Sequence, residues 1–200
     1  WQLPNWWESA VVAYGIWATG AISSPIVPIY REHELTLAMA ATRPRCVVMP
    51  STFRSVDYTD MAREAERLSG WSPAVRVVVR GSATGWSTFD DALTAHDHIS
   101  PAGASDQPVL TGMTSGTTSG AKLVVHSTAS FLSNPAMMTR LSGYGWRDRA
   151  YMPAPLAHST GLLTAVGLPL YTGCSVVLRD RWDADLAIDD ILEHGVTVSS

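Results

Sequence analysis

The chain carries little charge: Asp, Glu, Lys and Arg make up 16% of its 200 residues, against about 25% in an average globular domain. With 46% hydrophobic residues, that scarcity excludes intrinsic disorder, which needs the opposite balance, and implies that much of the chain is buried. The net charge is −4, so no general basic field draws in nucleic acid or an anionic membrane. Only Cys46 and Cys174 are cysteines, too few for a disulfide scaffold and without metal-ligand spacing. A reducing, cytoplasmic setting fits them best. Lysine is rarer still: among the 14 basic residues, Lys122 is the one lysine.

An uninterrupted apolar run of membrane length is also lacking. Residues 9–30 and 150–178 contain no Asp, Glu, Lys or Arg, and each exceeds the roughly 20 residues that cross a bilayer. Yet Gly15, Gly20, Pro25 and Pro28 cut the first, and Pro153, Pro155, His158, Pro169 and Gly173 cut the second. Such punctuation marks buried core rather than a span. No basic start followed by an apolar run marks a signal peptide, so a soluble chain is expected. It opens on Trp1 and stops just after the strand-like Val196-Thr197-Val198. Both ends read as cut, and a piece of a longer protein is expected.

What is present alternates helices with short β-branched strands. Asn5 and Glu8 stand at capping-box spacing before a helix expected to end near Gly20. Residues 26–29 are a strand candidate, residues 34–42 a helix, residues 46–49 a strand, and residues 58–68 an amphipathic helix closed by Gly70. Residues 75–79 form a further strand. Beyond a Gly-, Ser- and Asp-rich stretch come strand candidates at 109–113 and 122–126, then a helix over 129–141 interrupted by Pro135, and a strand at 175–178. Ala184, Ala187, Ile188, Ile191 and Leu192 follow a helical stripe, with Asp183 as its N-cap and Gly195 at its end. The alternation predicts an α/β fold with largely parallel sheets flanked by helices. A boundary is expected near residues 100–108, giving a first subdomain over 1–100 and the start of a second over 101–200.

The segment with the most chemistry is Thr114, Ser115, Gly116, Thr117, Thr118, Ser119 and Gly120, followed by Ala121 and Lys122. Glycines let backbone N–H groups turn toward an anion, hydroxyls add donors, and a lysine at the exit adds a mobile positive charge. The group suits a polyphosphate. A flexible Gly/Ser linker is the alternative on composition, but strand-like runs frame the loop on both sides. A Walker loop fails: only three residues lie between Gly116 and Gly120, Ala121 precedes the lysine, and Leu123 follows it.

Thr114-Ser-Gly-Thr-Thr-Ser-Gly-Ala-Lys122-Leu-Val124 resembles the signature Thr-Ser-Gly-Thr-Thr-Gly-x-Pro-Lys-Gly-Val of the AMP-forming acyl-CoA synthetases, the adenylate-forming enzymes. Leu3-Pro4-Asn5, with the helix to Gly20 and Ala21, is similar to that family's early segment. Pro155-Leu156-Ala157-His158-Ser159-Thr160-Gly161 resembles its Pro-Leu-aromatic-His-x-x-Gly motif. The sequence departs at Ser119, Ala121, Leu123 and Ala157; the last leaves more room, which points toward a bulkier or cyclic acid.

The resemblance implies an ATP-dependent acid–thiol ligase: ATP and a carboxylic acid form an acyl-adenylate and pyrophosphate, and the acyl group then passes to coenzyme A. It implies that Thr114, Ser115, Gly116, Thr117, Thr118, Ser119 and Gly120 hold phosphates, with Lys122 adding charge and Mg2+ bridging the phosphates. It also implies that His158 stands near the reacting carboxylate, making His158 and Lys122 the catalytic candidates. No protein-held metal site is expected; His96 and His98 alternate but lack further ligands. His126 reads as structural, residues 179–183 as a solvated turn with local ion pairs, and the tryptophans as core. The family's later motifs are missing from these residues, so the segment alone is expected not to complete the reaction. An adenylation domain loading a carrier protein, a non-catalytic nucleotide-binding relative and a purely structural α/β domain are the rival readings.

Overall fold

A computed structural model describes residues 1–95, 106–114 and 122–199, with Thr114 described in its backbone only. The elements run α1 (Trp7–Ala18), α2 (Glu32–Thr42), β1 (Cys46–Pro50), β2 (Thr52–Phe53), β3 (Val56–Asp57), α3 (Tyr58–Ser69), β4 (Val75–Val79), β5 (Ser87–Thr88) and α4 (Phe89–Thr94). Then follow β6 (Pro108–Thr114), β7 (Lys122–Ser127), α5 (Thr128–Ser142), β8 (Arg149–Met152), α6 (Ser159–Gly161), a π-helical turn (Leu162–Gly167) and α7 (Leu168–Thr172). β9 (Ser175–Leu178), α8 (Ala184–His194) and β10 (Val198–Ser199) complete the order.

Two three-stranded parallel sheets, ordered β1-β4-β5 and β10-β8-β9, carry the α/β architecture. The first is buried on both faces, and its sequence shows why. In β1, Val47 and Met49 join one core with Leu35, Met39, Met61, Ala62 and Ala65 from α2 and α3; Val48 between them joins the other. β4 divides likewise, Val78 to the first core and Val77 and Val79 to the second. That is the two-residue period of a strand with helices on each side. The second core also gathers Leu3 and Ala13 from the start of the chain with Leu110, Phe131, Met152 and Leu156.

Local signals hold where the expected partners are close in sequence. Asp57 caps α3 by accepting from the Thr59 and Asp60 N–H groups, both at 2.9 Å, and Gly70 ends it at φ 67°. Asp183 caps α8 in the same way, and Gly195 closes it at φ 58°.

Three expectations need correction, and one pairing, that of β6 with β7, is left open by the sequence. Residues 26–29 form no strand: Tyr30 N–H donates to Val27 O in a turn beside Pro28, and Ser23 instead bridges to Leu110. β6 and β7 pair antiparallel; the seven residues between them are too few for a parallel crossover, which needs a dozen or more. α5 runs through Pro135 without a break. The buried proline ring packs on the π-helical turn, where a Cβ at Gly167 would lie 2.9 Å from Pro135 Cγ. On α8, Ile188 and Leu192 are exposed, and the buried edge is Ala187 with Asp190. The Asp190 carboxylate is held there by the Arg179 guanidinium.

Candidate functional site

β6 and β7 form a ribbon whose register runs from Thr114 opposite Lys122 to Leu110 opposite His126. Strand alternation puts Lys122, Val124 and His126 on one face with Leu110 and Gly112. Lys122 is exposed at the start of β7. Ser115, Gly116, Thr117, Thr118, Ser119 and Gly120 lie outside the described residues, as do His96 and His98.

Along the ribbon lies a cavity of about 340 Å³. Leu110, Gly112 and Met113 of β6 and His126 of β7 wall it on one side; His158, Ser159 and Leu162 contribute another. Ile26, Phe131 and Ala157 add apolar surface. Ser130 and Asn134, one helical turn apart on α5, bring a hydroxyl and an amide to the same space. Neither a carboxylate nor a lysine or arginine is among the described lining residues. The chemistry on offer is therefore two imidazoles and neutral hydrogen-bonding groups within an apolar enclosure.

Two hydrogen-bond systems hold the walls. Ser127 caps α5 by accepting from the Ser130 N–H at 3.2 Å, which ties the end of β7 directly to the helix. His126 Nδ1 lies 3.1 Å from Ser130 Oγ. His158, which also lines the cavity, sits at the N-terminus of α6 in extended conformation, φ −86° and ψ 157°. Its N–H donates to Pro155 O at 2.9 Å, its carbonyl accepts from Leu162 N–H at 2.8 Å, and Ser159 Oγ is 3.4 Å from its Nδ1. The turn is tight enough to require glycine at position 161. A Cβ there would collide with the Pro155 carbonyl and lie 2.6 Å from Leu156 Cα.

The turn that carries His158 is anchored by a residue from the start of the chain. Asn5 Nδ2 donates to Met152 O (3.2 Å), Ala154 O (2.7 Å) and Arg179 O (3.0 Å), while Asn5 Oδ1 accepts from Leu156 N–H at 2.7 Å. The Leu-Pro-Asn and Pro-Leu-Ala-His segments are thus one hydrogen-bonded unit. Glu8 is likewise not a capping residue: it is buried and paired with Arg80 at 2.7 and 3.0 Å. The capping-box spacing of these two residues was fortuitous, because both are drawn to distant partners; α1 starts without a side-chain cap.

Beyond His158 the chain passes through the π-helical turn, a form that recurs at functional sites because its wide ring is rarely stable on its own. Here Tyr14 Oη donates to Val166 O at 3.0 Å. Burial raises the pKa of that phenol, which keeps the donor protonated. Leu162 and Leu163 of the same turn face the cavity.

Other sequence readings change in the same light. His126, read as structural, lines the cavity; the polar residues at four-residue steps after it, Ser130 and Asn134, were the signal that could have placed it. Residues 179–183 are not a set of local pairs: Arg179 reaches Asp190, and Asp180 accepts from Trp6 Nε1 at 2.9 Å. Trp7, Trp146 and Trp182 are more than half exposed rather than core. Cys46 and Cys174 are both unpaired thiols. No helix among the described residues is long and apolar enough to cross a membrane.

Comparison with known proteins gives the geometry a context. The family model described as AMP-binding enzyme matches residues 1–200. The medium-chain fatty-acid–CoA ligase of Escherichia coli is 26% identical over 94% of this chain and 34% of its own length. The salicyl-AMP ligase / salicyl-S-ArCP synthetase of Mycobacterium tuberculosis is 28% identical over 100% of this chain and 35% of its own. The apo structure of Mycobacterium smegmatis MbtA superposes with a TM-score of 0.85 at 27% identity, covering 99% of this chain and 37% of that one. The chain therefore spans about a third of the length of the relatives it matches.

Proposed function

Because the chain belongs to the AMP-binding enzyme family, we propose that it is the phosphate- and acid-binding portion of an AMP-forming acid–thiol ligase. In this reading the carboxylate attacks the α-phosphorus of ATP to give acyl-adenylate and pyrophosphate. The thiol of coenzyme A then displaces AMP to give the thioester. The observation that carries the proposal is the continuity of one ribbon face. Thr114 and Lys122 pair at the end leading into the Ser/Thr/Gly loop, and His126 on that face walls the cavity that His158 also lines. Lys122 and His126 are four residue steps apart on the strand, about 13 Å, so one ribbon face can serve both the triphosphate and the acid.

The physical problem is to bring two anions into in-line contact, which positioning and charge neutralisation solve. The loop from Thr114 to Gly120 would cradle the β- and γ-phosphates, Lys122 would add positive charge at its exit, and His158 would orient the carboxylate. No group of three His, Cys, Asp or Glu among the described residues could hold an ion. Magnesium would neutralise charge on the triphosphate. The thiol step belongs to the full-length protein.

Carboxylate-dependent ATP–pyrophosphate exchange by the full-length protein, across short, long and aromatic acids, tests the reading. At least one acid should drive exchange, and Lys122→Ala should lower it on the order of 100-fold, the usual loss when one charge-stabilising donor is removed. ATP-dependent stabilisation without exchange for any acid would indicate a non-catalytic nucleotide binder; no response of the melting temperature to ATP would overturn the reading altogether. The match of the salicyl-S-ArCP synthetase over the whole chain favours a second reading, in which a carrier-protein thiol replaces coenzyme A. Offering each thiol to the preformed adenylate separates the two.

A further inference from the structure

Resting on the reading of the cavity as the acid's site, a substrate class can be argued from its walls. Three hydrogen-bonding side chains on β7 and α5, His126, Ser130 and Asn134, line the cavity together. His126 Nδ1 is turned to Ser130 Oγ at 3.1 Å, which leaves Nε2 as the ring atom for a ligand. The space is also wide. A Cβ at Gly112 would meet nothing within 4 Å among the described residues, and Ala157 presents only a methyl group to the cavity. The widening at Gly112 and Ala157 suits a ring rather than a single alkyl chain.

We propose that His126, supported by Ser130 and Asn134, is a specificity residue selecting a ring-bearing carboxylic acid with a hydroxyl or similar hydrogen-bonding substituent. A plain alkyl or unsubstituted ring acid strips water from His126 Nε2 and the Asn134 amide and returns no partner. A site built to hydrogen-bond a substrate rejects the analogue lacking that group for this reason.

The test compares benzoate with its three monohydroxy derivatives, and octanoate as the alkyl reference, on the full-length protein. Exchange is measured with ATP, and binding of the same acids is measured by calorimetry without it. The preferred hydroxybenzoate should exceed benzoate by about tenfold or more in kcat/KM, chiefly through KM, with the same order in binding. His126→Phe should bring the ratio within about twofold of unity, and His126→Gln, which retains a hydrogen-bonding head, should keep most of the preference. Melting temperatures of the variants exclude unfolding as the cause. A wild-type ratio near unity, or one unchanged by His126→Phe, overturns the proposal. Exchange without preference removes this inference and leaves the ligase reading standing. Calorimetric preference without exchange does the reverse, and neither binding nor exchange removes both.

Discussion

Asn5 offers the sharpest quantitative test of how the His158 turn is held. Its amide makes four hydrogen bonds, three from Nδ2 to carbonyls and one accepted from Leu156 N–H, and the residue is 6% exposed. A typical bond contributes about 0.5–1.5 kcal/mol net, and two N–H groups shared among three carbonyls fall at the lower end. Asn5→Ala should therefore cost about 3 kcal/mol locally, on the order of a 100-fold rise in the opening of this turn. Asn5→Asp keeps the shape and the acceptor for Leu156, but sets a carboxylate against three carbonyl oxygens, and should cost more at neutral pH. Hydrogen exchange read by mass spectrometry on peptides covering residues 152–162 of the full-length protein measures both. Protection in Asn5→Ala within about threefold of wild type, or Asn5→Asp exchanging like wild type, would refute the reasoning.

Two further outcomes follow from other contacts. The Arg179 guanidinium holds the Asp190 carboxyl below its ordinary range, so the stabilisation is complete above the unfolded carboxylate pKa and is lost as pH falls through the folded one. Asp190→Asn should cost about 3 kcal/mol at pH 7 and flatten the acid limb of a urea-midpoint profile below about pH 4; an unchanged acid limb would count against the pair. Gly161→Ala puts a methyl group against the Pro155 carbonyl and should cost about 2–3 kcal/mol. Its exchange activity should fall more than its melting temperature suggests, because the displaced turn bears His158; a variant matching wild type in both would show the turn to be slack.

Much of this protein was decided within a few residues of sequence. Asp57 and Gly70 set the ends of α3, and Asp183 and Gly195 those of α8, because a cap is satisfied by N–H groups two or three positions away. The β-branched runs of β1 and β4 declare strands buried on both faces, since alternate residues must all find apolar cover. The Ser/Thr/Gly run ending at Lys122, and the Pro-Leu-Ala-His segment, stand out in the sequence for the same local reason. Tertiary structure alone decided what those parts meet. Asn5 and Glu8, at ideal capping distance from each other, serve instead partners 147 to 174 and 72 residues away. His126 became part of a cavity only when β7 folded antiparallel onto β6 and α5 turned Ser130 and Asn134 toward the same space. Pro135 stayed inside a helix because Gly167, from a different turn, left room for its ring. A local pattern states which groups a residue can satisfy; which of them it does satisfy depends on what the fold carries to it from elsewhere in the chain.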